Sequence, residues 1–234
     1  MQDNHTDTAC AASPQLGGPA PEFMGRSTHG VVRLADFRGR WLVFFAHPAD
    51  FTPVCASELV AFAKRFGEFA ALNCALLGLS VDSVYAHLAW HESIRQKFGV
   101  RIDFPVLEDV TMEIARRYGM VQAGNGHPAT LRALFVIDDK GLLRAVQMYP
   151  ETTGRSVGEV LRLLQALQTA DRLHAMTPEG WTPGDNVIDP PPETVAAAVA
   201  TRDPAYGCVD WYYWTRPAQT AAAGSTAPAR LPPA

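Results

Sequence analysis

Pro48, Thr52 and Cys55 stand at set intervals in the stretch HPADFTPVC. The thiolate, not the thiol, is the nucleophile, so a cysteine is useful only where its surroundings favour that anion. Thr52 is a residue type favoured at a helix N-cap and Pro53 one favoured at the first helical position. An apolar helical pattern follows, which puts Cys55 at or near the third position. Backbone N–H groups in that first turn have no helical acceptor, and the positive end of the helix dipole lies beside them. An ordinary thiol has a pKa of about 8.5, and a helix N-terminus with a nearby cation draws it down. Pro48 ends the preceding apolar run and shapes a loop that shields the sulfur. The same residues also fit a small buried hydrophobe placed after a turn, and the cap alone does not separate the two readings.

Other residues could carry chemistry. His47, before Pro48, fits either a packed, hydrogen-bonded strand end or a group close enough to the sulfur to tune its oxidation. His87 and His91, four residues apart in HLAWH, have a spacing that can hold zinc. No carboxylate or cysteine is placed to complete such a site, so a solvated helix face is expected there. Cys74 opens an apolar run and is expected to be buried and inert, and Cys10 to be exposed. Four cysteines without a CxxC pair do not make a disulfide scaffold or a zinc ribbon, and they disfavour a general disulfide oxidoreductase. No metal or organic cofactor is expected.

The elements that must position Cys55 alternate in type. WLVFFA, residues 41–46, reads as a buried strand, and Leu59, Phe62, Ala63, Phe66 and Phe69 follow at helical spacing. Next come an apolar run over 75–81, a helix from Ser83 carrying Leu88, Ile94 and Phe98, the strand-like FPVLED and a short helix near 111–118. Runs at 133–137 and 142–148 flank the turn Asp138-Asp139-Lys140-Gly141 as an antiparallel hairpin. Ser156 and Glu159 form a capping box at the head of a last helix with Val160, Leu161, Leu164 and Leu167 on its buried stripe. This order predicts an α/β fold of the thioredoxin-like kind, a mixed central sheet with helices on both faces, plus a C-terminal extension. Composition divides the chain into a flexible lead over 1–18, a main domain over 19–173, an aromatic arm over 174–217 and a low-complexity tail over 218–234.

With 234 residues, 47% of them apolar, the chain can bury one substantial core. A formal charge of −4 with scattered basic residues excludes nucleic acid and anionic membrane surfaces as partners. The N-terminus has neither the basic start nor the apolar core of a secretory signal, and no run is long enough to span a bilayer, so a cytoplasmic location is expected.

Pro48-x-x-x-Thr52-x-x-Cys55 resembles the active-site motif of the peroxiredoxins, the alkyl hydroperoxide reductase/thiol-specific antioxidant family. FFAHPADFTPVCASEL resembles its one-cysteine branch. LRALFVIDDKG is similar to the family strand that carries an arginine, and YPETTGRSVGEVLRLLQALQ to its closing helix with another; the likeness runs over about residues 16–217. It implies a thiol-dependent peroxidase reducing hydrogen peroxide and organic hydroperoxides through a sulfenic acid on Cys55. It further implies Thr52 and Arg132 as substrate-binding groups, Pro48 as the shield, and Glu58 and Arg155 as supports that orient Arg132. His47 matches a histidine common in the branch. A redox sensor or holdase using Cys55 oxidation as a switch is the alternative, separated from a peroxidase by its slow turnover.

GCVDWYYWTRP resembles the arm of longer archaeal and bacterial members, many of which carry a second cysteine where this chain has Trp214. Cys208 then either resolves the sulfenic acid of a neighbouring subunit, or a thioredoxin-like protein or small thiol reduces Cys55 directly; a structural or auxiliary Cys208 is the favoured reading. Arg40 stands where the branch's lipid-hydrolase members need a serine, so no such hydrolysis is expected. The likeness implies a homodimer, with five dimers able to close into a ring.

Overall fold

The computed structural model describes residues 14–121, 129–199 and 207–218. Cys10 and the lead and tail on either side, residues 1–13 and 219–234, lie outside that set. The chain divides into two compact units near Leu161, inside its last long helix and ahead of the composition change at 173.

In the first unit every residue of β3 (Trp41–Ala46) and of β6 (Arg132–Ile137) is buried. A strand apolar on both faces belongs in the middle of a covered sheet, and β3 pairs parallel with β4 (Cys74–Ser80) and antiparallel with β6. The sheet is completed by β1 (Met24–Ser27), β2 (Gly30–Arg33), β5 (Val106–Glu108) and β7 (Leu143–Tyr149). The order is β2-β1-β5-β4-β3-β6-β7, with the β3/β4 and β4/β5 pairs parallel and the rest antiparallel. Successive side chains of β3 serve opposite faces. Phe44 packs against Phe23, Tyr118 and Phe135, whereas Phe45 stacks on Phe62 at 4.4 Å and meets Phe104 edge-on. The expected hairpin is β6–β7, its turn held by Asp138 Oδ1, which accepts from the amides of Lys140 and Leu142. The β1–β2 hairpin is an addition that the sequence did not reveal.

The helical run after Cys55 is not continuous: α1 (Pro53–Lys64) and α2 (Phe66–Ala71) meet at Arg65, and Leu59, Phe62 and Phe69 supply the buried faces. In α3 (Val84–Phe98), Ser83 Oγ accepts from the Ala86 amide at the start and Gly99 closes the helix at φ 65°. Its buried face is Val84, His87, Trp90 and Ile94, while Leu88 and Phe98 are exposed. The expectation of a solvated His87 is therefore wrong. Asp109 caps α4 (Glu113–Arg117) by accepting from the amides of Ile114 and Ala115. At α5 (Val157–Leu173) the Glu159 amide donates to Ser156 Oγ, the backbone half of the expected box.

The sheet takes up the chain before residue 18: the Gly17 amide donates to the Leu143 carbonyl, and the Leu143 amide to that of Gly18. In the second unit, β8 (Val187–Ile188), β9 (Gly207–Asp210) and β10 (Tyr213–Arg216) form an antiparallel sheet in the order β8-β10-β9, with a short helix α6 (Val195–Val199). Ala175, Val187 and Ala218 form its small core, so its packing reaches one residue past 217. No helix among the described residues is long and apolar enough to cross a membrane.

Candidate active site

Cys55 occupies the third position of α1 and is fully buried. Thr52 takes the N-cap position with extended backbone and Pro53 follows at the first helical position. The Thr52 hydroxyl does not cap the helix. It donates to the Ala49 carbonyl at 2.8 Å, which ties the loop to itself and leaves the oxygen's lone pairs free to accept. Phe51, just before it, is held at φ 56°, a left-handed conformation that costs a bulky residue energy and marks an over-determined turn. Pro48 is buried at the head of this loop.

Glu58 follows Cys55 by three residues and so shares its face of α1. Arg132, the first residue of β6, reaches both: Nη1 donates to Cys55 Sγ at 3.4 Å and to Glu58 Oε2 at 2.6 Å, and Nη2 donates to the Glu151 carbonyl at 2.8 Å. Its Nε is buried without a partner. Arg155 closes the group from the other side. Its Nε and amide bond Glu58 Oε1, its Nη2 bonds Oε2, and Nη1 donates to the Ala133 carbonyl at 2.6 Å. The guanidinium also lies over the Phe45 ring, 5.3 Å from its centre. Arg132, Glu58 and Arg155 are all buried, so their charges act through little water. Burial pushes the Glu58 carboxyl up, but the hydrogen bonds and charge of Arg155, with the charge of Arg132, hold it below the usual carboxylate range. Burial likewise works against Arg132, and its bond to Cys55 and the charge of Glu58 outweigh that.

Two guanidiniums and one carboxylate leave one positive charge over. An uncompensated buried charge is costly, and an anionic sulfur at Cys55 is the group in contact with Arg132 that can balance it. The arrangement thus sets guanidinium donors beside the sulfur, where they suit an oxygen that gains negative charge.

His47 is packed and hydrogen-bonded: its ring Nε2 lies 2.8 Å from Asp50 Oδ1, and its carbonyl accepts from Thr130 Oγ1. Burial is the main cause holding its imidazole below the ordinary value. Asp50 Oδ2 lies 2.7 Å from His87 Nδ1, and His87 Nε2 lies 3.1 Å from the Leu107 carbonyl. His47, Asp50 and Asp82 lie close enough to hold a metal ion, but Asp82 Oδ2 is already taken up by the Asp50 amide and Ser80 Oγ, and Asp50 by the histidines. Burial pushes the Cys74 thiol up to about 12, which makes it inert. Cys208, in β9, is exposed, and its cross-strand partner is Trp214. Sequence reasoning missed the carbonyls of Ala133 and Glu151, which leave no trace in residue type, and the pairing of Asp50 with His87 across 37 positions.

Residues 16–146 match the AhpC/TSA family model, and residues 166–203 match the C-terminal domain of 1-Cys peroxiredoxin. The chain is 50% identical to a peroxiredoxin of Aquifex aeolicus over 210 residues, covering 85% of this chain and 95% of that one. It is 46% identical to a peroxiredoxin of Hyperthermus butylicus over 206 residues, covering 86% and 88%. Among solved structures it resembles a yeast mitochondrial 1-Cys peroxiredoxin, resolved via glutathione/thioredoxin systems, at a TM-score of 0.79 and 36% identity over 87% of this chain and 99% of that one. Peroxiredoxin 6 of Arenicola marina follows at a TM-score of 0.77 and 31% identity, over 88% and 99%. The burial of a cysteine at a helix start in contact with Arg132 and these likenesses agree: the chain belongs to the AhpC/TSA family and is a peroxiredoxin, a thiol-dependent peroxidase that reduces peroxide through a cysteine.

Proposed function

We propose that Cys55 is the cysteine that reacts with the peroxide. Its thiolate attacks the terminal oxygen of ROOH, an S–O bond forms as the O–O bond breaks, and the departing alkoxide takes up a proton to leave as alcohol, or as water when R is hydrogen. The products are ROH and a sulfenic acid on Cys55, so the sulfur is oxidised by two electrons and the peroxide reduced by two. Negative charge moves from sulfur to the leaving oxygen, and donors held in place beforehand are worth most where that charge develops. Arg132 supplies such donors from Nη1 and the unpartnered Nε, and the fork geometry lets one guanidinium serve sulfur and oxygen together. Thr52 offers a hydroxyl to the peroxide and Pro48 excludes water, while Glu58 and Arg155 hold Arg132 in line. The observation that carries this reading is the surplus positive charge beside Cys55.

A thioredoxin-like protein or small thiol returns the sulfenic acid to the thiol, as the yeast relative's use of glutathione and thioredoxin suggests. Cys208 acts as an auxiliary rather than the resolving thiol; by resemblance to the arms of longer members, Trp214 stands where many of them carry a second cysteine. The test is intact-mass spectrometry of wild type, Cys55→Ser and Cys208→Ser after one equivalent of hydrogen peroxide. One added oxygen on wild type and Cys208→Ser, and none on Cys55→Ser, is expected. A Cys55–Cys208 disulfide in wild type would overturn the auxiliary role, and an unmodified Cys55 would overturn the assignment itself.

A further inference from the structure

His87 is a buried titratable group that the peroxide chemistry leaves unused, and both its ring nitrogens face oxygen. A carbonyl can only accept, so Nε2 carries a proton for Leu107. Nδ1 faces Asp50 Oδ2 at 2.7 Å, and the other oxygen of that carboxyl faces His47 Nε2 at 2.8 Å. Two arrangements satisfy these distances: a doubly protonated His87 with an ionised Asp50, or a neutral His87 with a protonated Asp50. Burial raises the Asp50 carboxyl, and the bonds from the two histidines bring it below its ordinary value, which favours the ion pair.

We propose that His87 is a positioning residue for the reactive cysteine: as an imidazolium paired with Asp50 it locks the His47–Thr52 turn and sets the His47 tautomer. This rests on the reading of Cys55 given above. With Asp50 ionised, both carboxylate oxygens accept, so neutral His47 must donate from Nε2. Its Nδ1, which is buried and has no partner, is left as a bare acceptor. Asp50 is the hub of the turn. Its side chain is held by His47 and by His87 of α3, and its amide by Asp82 beyond β4. Two residues later comes Thr52, directly after the left-handed Phe51. A turn held at its middle by a buried ion pair delivers Thr52 and the first turn of α1 in one geometry.

The groups that share this space are His47 and Asp50 after β3, Asp82 and Ser80 at the end of β4, His87 and His91 of α3, Glu108 of β5, and His29 of the β1–β2 turn. His91 stays neutral, since burial brings its imidazole down to about 4. Of His47, His87 and His91, His87 is therefore the imidazole placed against a carboxylate and a carbonyl at once.

Long-range proton–nitrogen NMR on the labelled full-length protein reads each ring directly. In the folded protein, His87 is expected to show two protonated nitrogens and His47 one proton on Nε2. Asp50→Asn keeps a donor and an acceptor in the same places but removes the charge, and should turn His87 into the neutral Nε2–H form. His87→Gln should slow oxidation of Cys55 by hydrogen peroxide about tenfold or more and leave His47 a mixture of tautomers. A neutral His87 in the wild type overturns the proposal, as does a His87→Gln protein with the wild-type rate and an unaltered His47 signal. If His87→Gln does not fold, the Asp50→Asn spectrum decides: a His87 still doubly protonated there overturns the ion pair. The spectra need no peroxide, so an unreactive Cys55 would sink the site assignment while leaving the charge on His87 measurable.

Discussion

Arg132 is the bulkiest fully buried side chain among the described residues, and burying a guanidinium is tolerable only because each bond it makes has a purpose. It links the sulfur to Glu58 and to the loop carbonyl of Glu151. Arg132→Met should therefore slow the reaction of Cys55 with hydrogen peroxide by about 10²- to 10³-fold in stopped-flow measurements, the cost usual for losing a donor at a developing charge. Arg132→Lys should restore little of it, because one ammonium cannot span the three acceptors. An unchanged rate in Arg132→Met would remove Arg132 from the chemistry. Glu58 plays the complementary part, since without its charge two guanidiniums face each other in the protein interior. Glu58→Gln is expected to lower stability by about 3–5 kcal/mol, read as a shift in the denaturant midpoint. A midpoint within error of wild type would mean that the carboxylate does not hold the group together.

The elements around the site show what a one-dimensional pattern carries and what it loses. β3 and β6 were legible because an unbroken apolar run has one comfortable place, the middle of a covered sheet. The start of α1 was legible because threonine, proline and cysteine have local meanings at a helix end. The inward face of α3 was not: Leu88 and Phe98 look like core and His87 and His91 like surface until Asp50 and the Leu107 carbonyl are brought against the helix. Distant partners decided that face, and residue type alone could not. The consequence is measurable in acid. The partly buried His91 imidazole is held down to about 4, whereas the unfolded chain takes up this proton near its ordinary 6.5. Between those values the unfolded state binds more protons, so the stability from a neutral His91 is complete above about pH 6.5 and is lost as pH falls toward 4. It amounts to about 3 kcal/mol. His47, also lowered by burial, adds a slope of the same sign. His91→Leu should flatten the fall of unfolding free energy over this window without abolishing it. Denaturant titrations at several pH values would show whether the slopes differ, and identical slopes would mean that His91 takes up its proton as easily folded as unfolded.

For the molecule as a whole, the second unit presents a surface that a lone chain leaves wet. Val195, Val209, Trp211 and Tyr212 are each about half exposed or more, at 82%, 78%, 51% and 52%, and Trp211 and Tyr212 stand edge-to-face at the tip of the β9–β10 hairpin. The hairpin itself is well anchored: Arg216 in β10 bonds Asp189 at 2.6 Å and the Leu173 carbonyl. An anchored hairpin that offers apolar groups to solvent is suited to burying them against a partner, and the simplest closed partner is a second copy related by a two-fold axis. The aromatics marked the arm off in the sequence, yet its strands went unseen because four-residue strands of mixed polarity carry almost no period. A double change, Val209→Glu with Trp211→Glu, puts two charges on each copy of that surface. It should convert a wild-type dimer into monomers in sedimentation velocity at micromolar concentration, while the hairpin's contacts with Asp189 and Leu173 keep the unit folded by circular dichroism. A wild-type protein that already sediments as a monomer would show that this surface meets something other than a second copy. A double variant that remains dimeric would move the interface elsewhere, with the outer edge of β7, the last strand of the large sheet, as the next surface to charge.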